Sequence, residues 1–234
     1  MNYIQHIIEP QRLLLTWQST STRLRRVVAE LIRTENGNCD LNYLVETKDY
    51  NEAVNEGFQG FATFPLGQPI SNAMDIFLKR QPPRAREDFN KYLEALRILP
   101  DVAAGISDFA LLGYSGAKLP DDNFAIVHPF DGVEHNCEIL TEICGFRHNN
   151  GAELIKNQSV SIGDSVELTV EPNNQYDSNA IMIEHNGIKL GYINRAQLNA
   201  FNCWLKTGVI DKAVIERVNG FADNPKLYIF VEVK

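Results

Sequence analysis

The chain has 234 residues, 44% of them apolar and 22% charged, with 22 basic and 30 acidic side chains and a formal net charge of −8. That length suits one large domain or two small ones, and the acidic balance excludes a broadly basic coat for nucleic acid while leaving room for a local site. There is no run of 18 apolar residues for a membrane span, and Glu9 and Pro10 interrupt an opening stretch that lacks the basic start of a signal peptide, so a cytoplasmic protein with no membrane partner is expected.

In chain order, residues 25–33 and 41–45 read as two antiparallel strands. Asn36-Gly37 between them supplies the positive φ angles of a tight turn. Residues 49–56 read as a short helix, with Asp49 to cap it and Gly57 to end it. Phe89, Tyr92, Leu93 and Leu96 recur at helical spacing, which predicts one helix over 84–99, entered through Pro82-Pro83 and closed by Pro100. Lys79, Arg80, Arg84 and Arg86 cluster at its start, as a phosphate site or as a solvated, acid-paired surface. A further helix over 106–112 begins at Ser107 or Asp108 and ends at Gly113.

The Pro- and Gly-containing stretch 128–135 is the expected boundary. It separates an α+β domain at 1–130 from a second domain at 131–234. In the second, 138–145, 165–170, 180–184, 188–193, 213–218 and 227–233 read as six strands. A single helix over 195–206 buries Leu198, Phe201 and Leu205, with Trp204 at the flank. Six short strands and one helix in so short a span predict a small closed β-barrel, which leaves no exposed sheet edge.

The densest polar turn runs Glu171-Pro-Asn-Asn-Gln-Tyr-Asp-Ser-Asn-Ala180 between two apolar strands. Asn173, Asn174 and Asp177 there suit local bonds to backbone amides. Gly145-Phe-Arg-His148 closes the first strand of this half. These two stretches, with Gly163-Asp164 and Leu190-Gly-Tyr-Ile193, resemble the HIRAN domain over about 138–233. The resemblance implies an OB-like barrel whose best-understood members grip the 3′ end of single-stranded DNA. It assigns Arg147 to phosphate, His148 and Tyr176 to base stacking and Asp177 to the terminal hydroxyl. Asn179 and Arg195 complete the candidate DNA-binding set. The chain departs from the family in three places: His148 stands where DNA-gripping members carry tyrosine, Gln175 where proline is usual, and Val170 where many have arginine. Residues 131–234 hold nine basic and fourteen acidic side chains, which weakens the phosphate-driven part of binding.

Residues 20–115 are similar, in pattern only, to the small N-terminal subdomain of HipA-type kinases, which implies a docking or regulatory module with a protein partner. No kinase loop, GxSxG, HExxH or P-loop occurs, so neither an enzyme nor a cofactor is expected. Cys39, Cys137, Cys144 and Cys203 are scattered and form no CxxC pair, which predicts free thiols and no zinc. His128 and His135 could join Asp131 on a metal, against the plainer reading of a solvated linker. Two functions follow: a non-enzymatic protein that binds single-stranded DNA ends, or an interaction module whose barrel no longer does so.

Overall fold

The computed structural model describes every residue except Ala62, Gly67, Gln68 and Ala222. The chain folds as two compact units. One comprises Ile8–Tyr92 and Ala104–Phe130; the other comprises Met1–Ile7, Leu93–Ala103 and Asp131–Lys234.

The first unit is built on strands β1 (Arg12–Gln18), β2 (Arg25–Arg33), β3 (Cys39–Tyr43) and β4 (Phe124–Val127), all antiparallel in the order β3-β2-β1-β4. The β2–β3 hairpin turns through Gly37 at φ 80°. β1 lies inside the sheet and buries Leu13 to Trp17 without a break. A strand covered on both faces shows no period-two alternation, so β1 and the short β4 are absent from the expected elements. Helix α1 (Lys48–Asn55) is capped by Thr47, whose hydroxyl accepts from the Tyr50 amide at 3.2 Å. Asp49, the expected cap, instead accepts from the Val27 amide at 2.9 Å and ties the helix to β2. Buried Arg26 pairs with Glu52 and, at 2.6 Å, with Glu56. Burial pushes the Glu56 carboxyl up, and hydrogen bonds from Arg26, Thr22 and Ser19 outweigh it and hold the group below its usual value.

Helix α2 (Met74–Leu78) adds Phe77 to a core that includes Leu13, Leu15, Leu31, Phe58, Phe109 and Ile126. The expected long helix over 84–99 is shorter: α3 spans Phe89–Ala95, and Pro100 starts the separate turn α4 (Pro100–Ala103). Arg97 takes φ 62°, and the amides of Arg97 and Ile98 return to the carbonyls of Glu94 and Leu93, a left-handed helix stop. Helix α5 (Asp108–Ser115) is capped by Ser107 as expected but ends at Gly116 (φ 75°), not at Gly113. Gly113 lies inside it, where a Cβ would come within 2.5 Å of Leu13 and 2.9 Å of His128.

The three arginines of the basic cluster are committed to acid partners. Arg80 forks onto Asp122 at 2.5 and 2.9 Å and donates to the Ala117 carbonyl, Arg84 pairs with Asp108, and Arg86 with Asp88. His128, weighed as a metal ligand, is a core residue. Its Nδ1 accepts from the Phe130 amide, its Nε2 lies 3.1 Å from the Ile8 carbonyl, and its ring stacks on Phe130.

The second unit carries β5 (Cys137–Glu142), β6 (Glu167–Val170), β7 (Ile181–His185), β8 (Ile188–Tyr192), β9 (Ile210–Phe221) and β10 (Asn224–Val233). All six strands fall where the sequence predicts them, but they do not close into a barrel. They form two three-stranded sheets, β5-β10-β9 and β6-β7-β8; among the described residues these are joined by isolated bridges, Cys144–Tyr192 and Ser165–Val214. Continuous ladders fail at these seams because the chain turns away at glycines of positive φ: Gly145 (82°), which opens the 3-10 turn Phe146–His148, and Gly163 (99°) before β6. Helix α6 (Gly151–Lys156) follows the first seam and is absent from the sequence expectation. The main helix is a 3-10 turn, Arg195–Gln197, running into α7 (Leu198–Thr207) and stopped by Gly208 at φ 71°. Trp204 is fully buried rather than flanking, and its indole N–H donates to the Val133 carbonyl at 2.6 Å.

Two buried carboxylates bind the remaining segments of this unit. Glu138 accepts from the amides of Gln5 and His6 at 2.9 and 3.0 Å. Glu216 accepts from Asn2 Nδ2 at 2.6 Å and Arg97 Nε at 2.7 Å. Among the described residues, no helix is long and apolar enough to cross a membrane.

Candidate nucleic-acid interface

Strand register brings four loops of the second unit to one end. Tyr228, the first residue of β10 to pair with β5, faces Glu142 at the end of β5, so the β9–β10 hairpin tip extends on the side where β5 runs into residues 145–148. Cys144 bridges to Tyr192, which places the end of β8 and the following residues 193–195 at that same end. Tyr192 in turn pairs with Met182 in β7, which brings in the 171–180 loop that precedes β7.

Each candidate residue sits on this rim. Arg147 and His148 are exposed on the 3-10 turn. Arg147 donates to Asn224 Oδ1 of the hairpin at 3.4 Å and lies 3.4 Å from His148 Nε2. Tyr176 is 56% exposed and offers a free aromatic face. Asp177 accepts from the Asn179 amide at 3.0 Å, and its other oxygen lies 3.4 Å from Arg195 Nε. Asn179 accepts from Asn202 Nδ2 through its carbonyl, which fastens the loop to α7. Asp177, Asn179 and Arg195 thus form one bonded cluster, and Arg147 and His148 form another around Asn224. β8 lies between the two, joined to the first through the Tyr192 hydroxyl and to the second through the Cys144 bridge.

The expected local bonds of Asn174 to backbone amides hold the loop in shape, and the sequence reading missed its ties to Glu171 and Tyr192. Asn174 Oδ1 accepts from the amides of Tyr176 and Asp177 at 2.9 and 3.2 Å. Its Nδ2 donates to Glu171 at 2.6 Å and to the Tyr192 hydroxyl at 3.1 Å, and that hydroxyl donates to Glu171 at 2.7 Å. The hydrogen bonds from Asn174 and Tyr192 hold the Glu171 carboxyl below its usual value. Lys189 bonds the same hydroxyl, which raises its own pKa, and stands 4.4 Å from the Tyr192 ring. The Leu190-Gly-Tyr-Ile193 motif marked this strand without showing that its tyrosine anchors the loop. Gly191 (φ 148°) is required there, because a Cβ would collide with the Cys144 carbonyl across the seam. Phe221, 79% exposed at the hairpin tip, was missed as well. Its only signal is an aromatic residue directly after the turn glycine Gly220.

The rim combines an exposed ring, a hydrogen-bond-accepting carboxylate and exposed basic groups. Such a set can stack a base, accept from a hydroxyl and contact a phosphate. Among the described residues, no three His, Cys, Asp or Glu side chains gather to hold a metal.

No curated protein matches the chain. The crystal structure of the HIRAN domain of human HLTF is similar at 22% identity, covering 42% of this chain and 77% of that one with a TM-score of 0.31. A crystal structure of a protein from Lactobacillus plantarum is also similar at 22% identity, covering 40% of this chain and 96% of that one with a TM-score of 0.30. The model of the HIRAN domain family matches residues 137–234, and a HIRAN domain therefore makes up the C-terminal part of this chain.

Proposed function

We propose that the HIRAN domain binds the 3′ end of single-stranded DNA on this rim, without catalysis. The observation that carries the reading is the exposed face of Tyr176 beside Asp177, on a loop whose amides are fixed by Asn174. In this reading a terminal base stacks on Tyr176. Asp177, with one oxygen on an amide and the other near Arg195, accepts from the free hydroxyl through its remaining lone pairs. Arg147 and Arg195 meet phosphate. His148 gives a smaller stacking face than a tyrosine. The nine basic against fourteen acidic groups of 131–234 leave stacking as the larger share of affinity, with a shallow salt dependence.

Fluorescence anisotropy with 3′-hydroxyl and 3′-phosphate oligonucleotides at two salt concentrations tests this. The hydroxyl end should bind more tightly, because a 3′-phosphate sets an anion against Asp177. Tyr176→Ala should cost about 1–3 kcal/mol of binding. Arg147→Ala should flatten the salt dependence by about one counterion. Equal affinity for both ends, unchanged by Tyr176→Ala, would refute the reading. The acidic balance favours the second reading, a protein-interaction module, with the 1–130 region engaging a protein partner. Absence of any DNA binding at low salt would select it.

A further inference from the structure

Strand β6 leaves an open edge in the second unit. The Glu171 amide donates to the Ala180 carbonyl, so Glu167, Thr169 and Glu171 turn their backbone groups towards β7. Val166, Leu168 and Val170 turn theirs outward. Val166 uses its amide on the Ala213 carbonyl of β9 at 3.0 Å, and there the pairing with β9 ends. Among the described residues, the outward N–H and C=O groups of Leu168 and Val170 meet no other backbone group. The two faces of this edge differ in chemistry. Leu168 and Val170 stand opposite the fully buried Ile183 and Ile181, yet Leu168 is half-buried and Val170 is 36% exposed. On the other face, exposed Glu167 stands opposite Glu184 in register, a like-charge pair that an antiparallel ladder disfavours. Lys189, the one lysine or arginine of the three strands, bonds the Tyr192 hydroxyl and stands 3.9 Å from Glu171.

We propose that β6 takes an extended basic segment of another protein as a fourth, antiparallel strand. An unpaired edge is a template for such addition: main-chain bonds supply affinity and alternate side chains supply specificity. Directly opposed residues share a face. Residues of the partner opposite Leu168 and Val170 are therefore apolar and cover the open core side. Those opposite Glu167, Thr169 and Glu171 are basic, so the recognised pattern alternates basic and apolar. A second copy of this chain fits worse, because β6 paired antiparallel with itself about Thr169 sets Glu167 against Glu171. The same carboxylates disfavour a nucleic-acid strand here.

The probe is the fluorescein-labelled peptide Lys-Val-Lys-Val-Lys, titrated with the full chain by anisotropy at low salt. It should bind saturably. The block peptide Lys-Lys-Lys-Val-Val, of equal charge and composition, should bind about fivefold more weakly. Methylating the backbone nitrogens of both valines in the alternating peptide removes two donors and should cost about tenfold. Glu167→Lys should weaken the alternating peptide by about fivefold and leave thermal melting unchanged, since the side chain is exposed. Hydrogen exchange by NMR should slow at the Leu168 and Val170 amides when the peptide is bound. If the block or methylated peptide binds as tightly as the alternating one, the attraction is charge alone and strand addition is overturned. Absence of binding to the alternating peptide at low salt also overturns it. Slow exchange at Leu168 and Val170 without peptide, together with a dimer by light scattering, would give the edge to a second copy and overturn the basic partner.

Discussion

Asn174 uses both ends of its amide on the rim, and its removal should separate loop order from overall stability. Asn174→Ala takes the acceptor from the Tyr176 and Asp177 amides and the donor from Glu171. Each lost bond in a solvated loop costs about 1 kcal/mol or less, so melting should shift little while affinity for a 3′-hydroxyl end falls. The Glu171 carboxyl should move back up towards its ordinary value, because the Asn174 bond is the largest cause of its depression. The sign follows from linkage. A carboxyl held low contributes order that is present above its unfolded pKa and lost as pH falls through the folded one. Carbon-detected NMR titration of Glu171 checks this; a midpoint identical in Asn174→Ala and wild type would contradict it. At this scale the sequence was legible where a side chain bonds locally, as Asn174 and Asp177 do within two or three residues. It was not legible where the partner lies far along the chain. Tyr192 reaches Asn174 across 18 positions and Arg147 reaches Asn224 across 77.

Among the elements, the end of α3 shows most clearly why helical spacing overreached. Phe89, Tyr92, Leu93 and Leu96 carry the right period, yet Arg97 turns left-handed in the position that ordinarily favours glycine. Its side chain supplies the reason, pairing with the buried carboxylate of Glu216, 119 residues later. A contact of that range leaves no local trace in the sequence. Arg97→Ala should cost about 3–5 kcal/mol in urea unfolding, since it strands a buried carboxylate. Adding Glu216→Gln should recover part of the loss; a double variant no more stable than Arg97→Ala would argue against the pair. Within residues 137–234 the strands were legible because turn glycines and β-branched alternation agree. The long apolar run of β1 carried no such agreement. Gly113 likewise reads as a stop in sequence and is a close-packing site in the fold.

For the whole molecule, the expected closed barrel failed at its two seams, where single bridges replace ladders. Strand number was legible; strand order and closure depend on pairings between residues far apart, which a linear pattern does not encode. The thiols give a direct probe of burial. Burial pushes the thiols of Cys39 and Cys137 up to about 12, helped by Asp40 and Glu138 respectively. Cys203 is exposed and Cys144 half-buried. Because the thiolate is the reactive form, a thiol reagent at neutral pH should label Cys203 fast, Cys144 more slowly, and Cys39 and Cys137 only after unfolding. Peptide mass mapping reads the order, and native labelling of Cys39 at the rate of Cys203 would show the first core to be more open than described.

The attachment of residues 1–7 to the second unit has a consequence for the order of assembly. Gln5 must find Glu138 across 133 positions, and Asn2 must find Glu216 across 214. A ribosome delivers Asn2 and Gln5 long before it delivers Glu138 and Glu216. The stretch 8–130 holds all four strands of its own sheet and can condense during synthesis. Ile4 can meet Arg97 early, Gln5 and His6 wait for Glu138 in β5, and Asn2 waits until β9 has been made. Distant pairings of this kind slow folding more than they weaken the product. Completion of the second unit is therefore the expected late and slow phase, governed by the capture of a short peptide segment and not by the formation of strands.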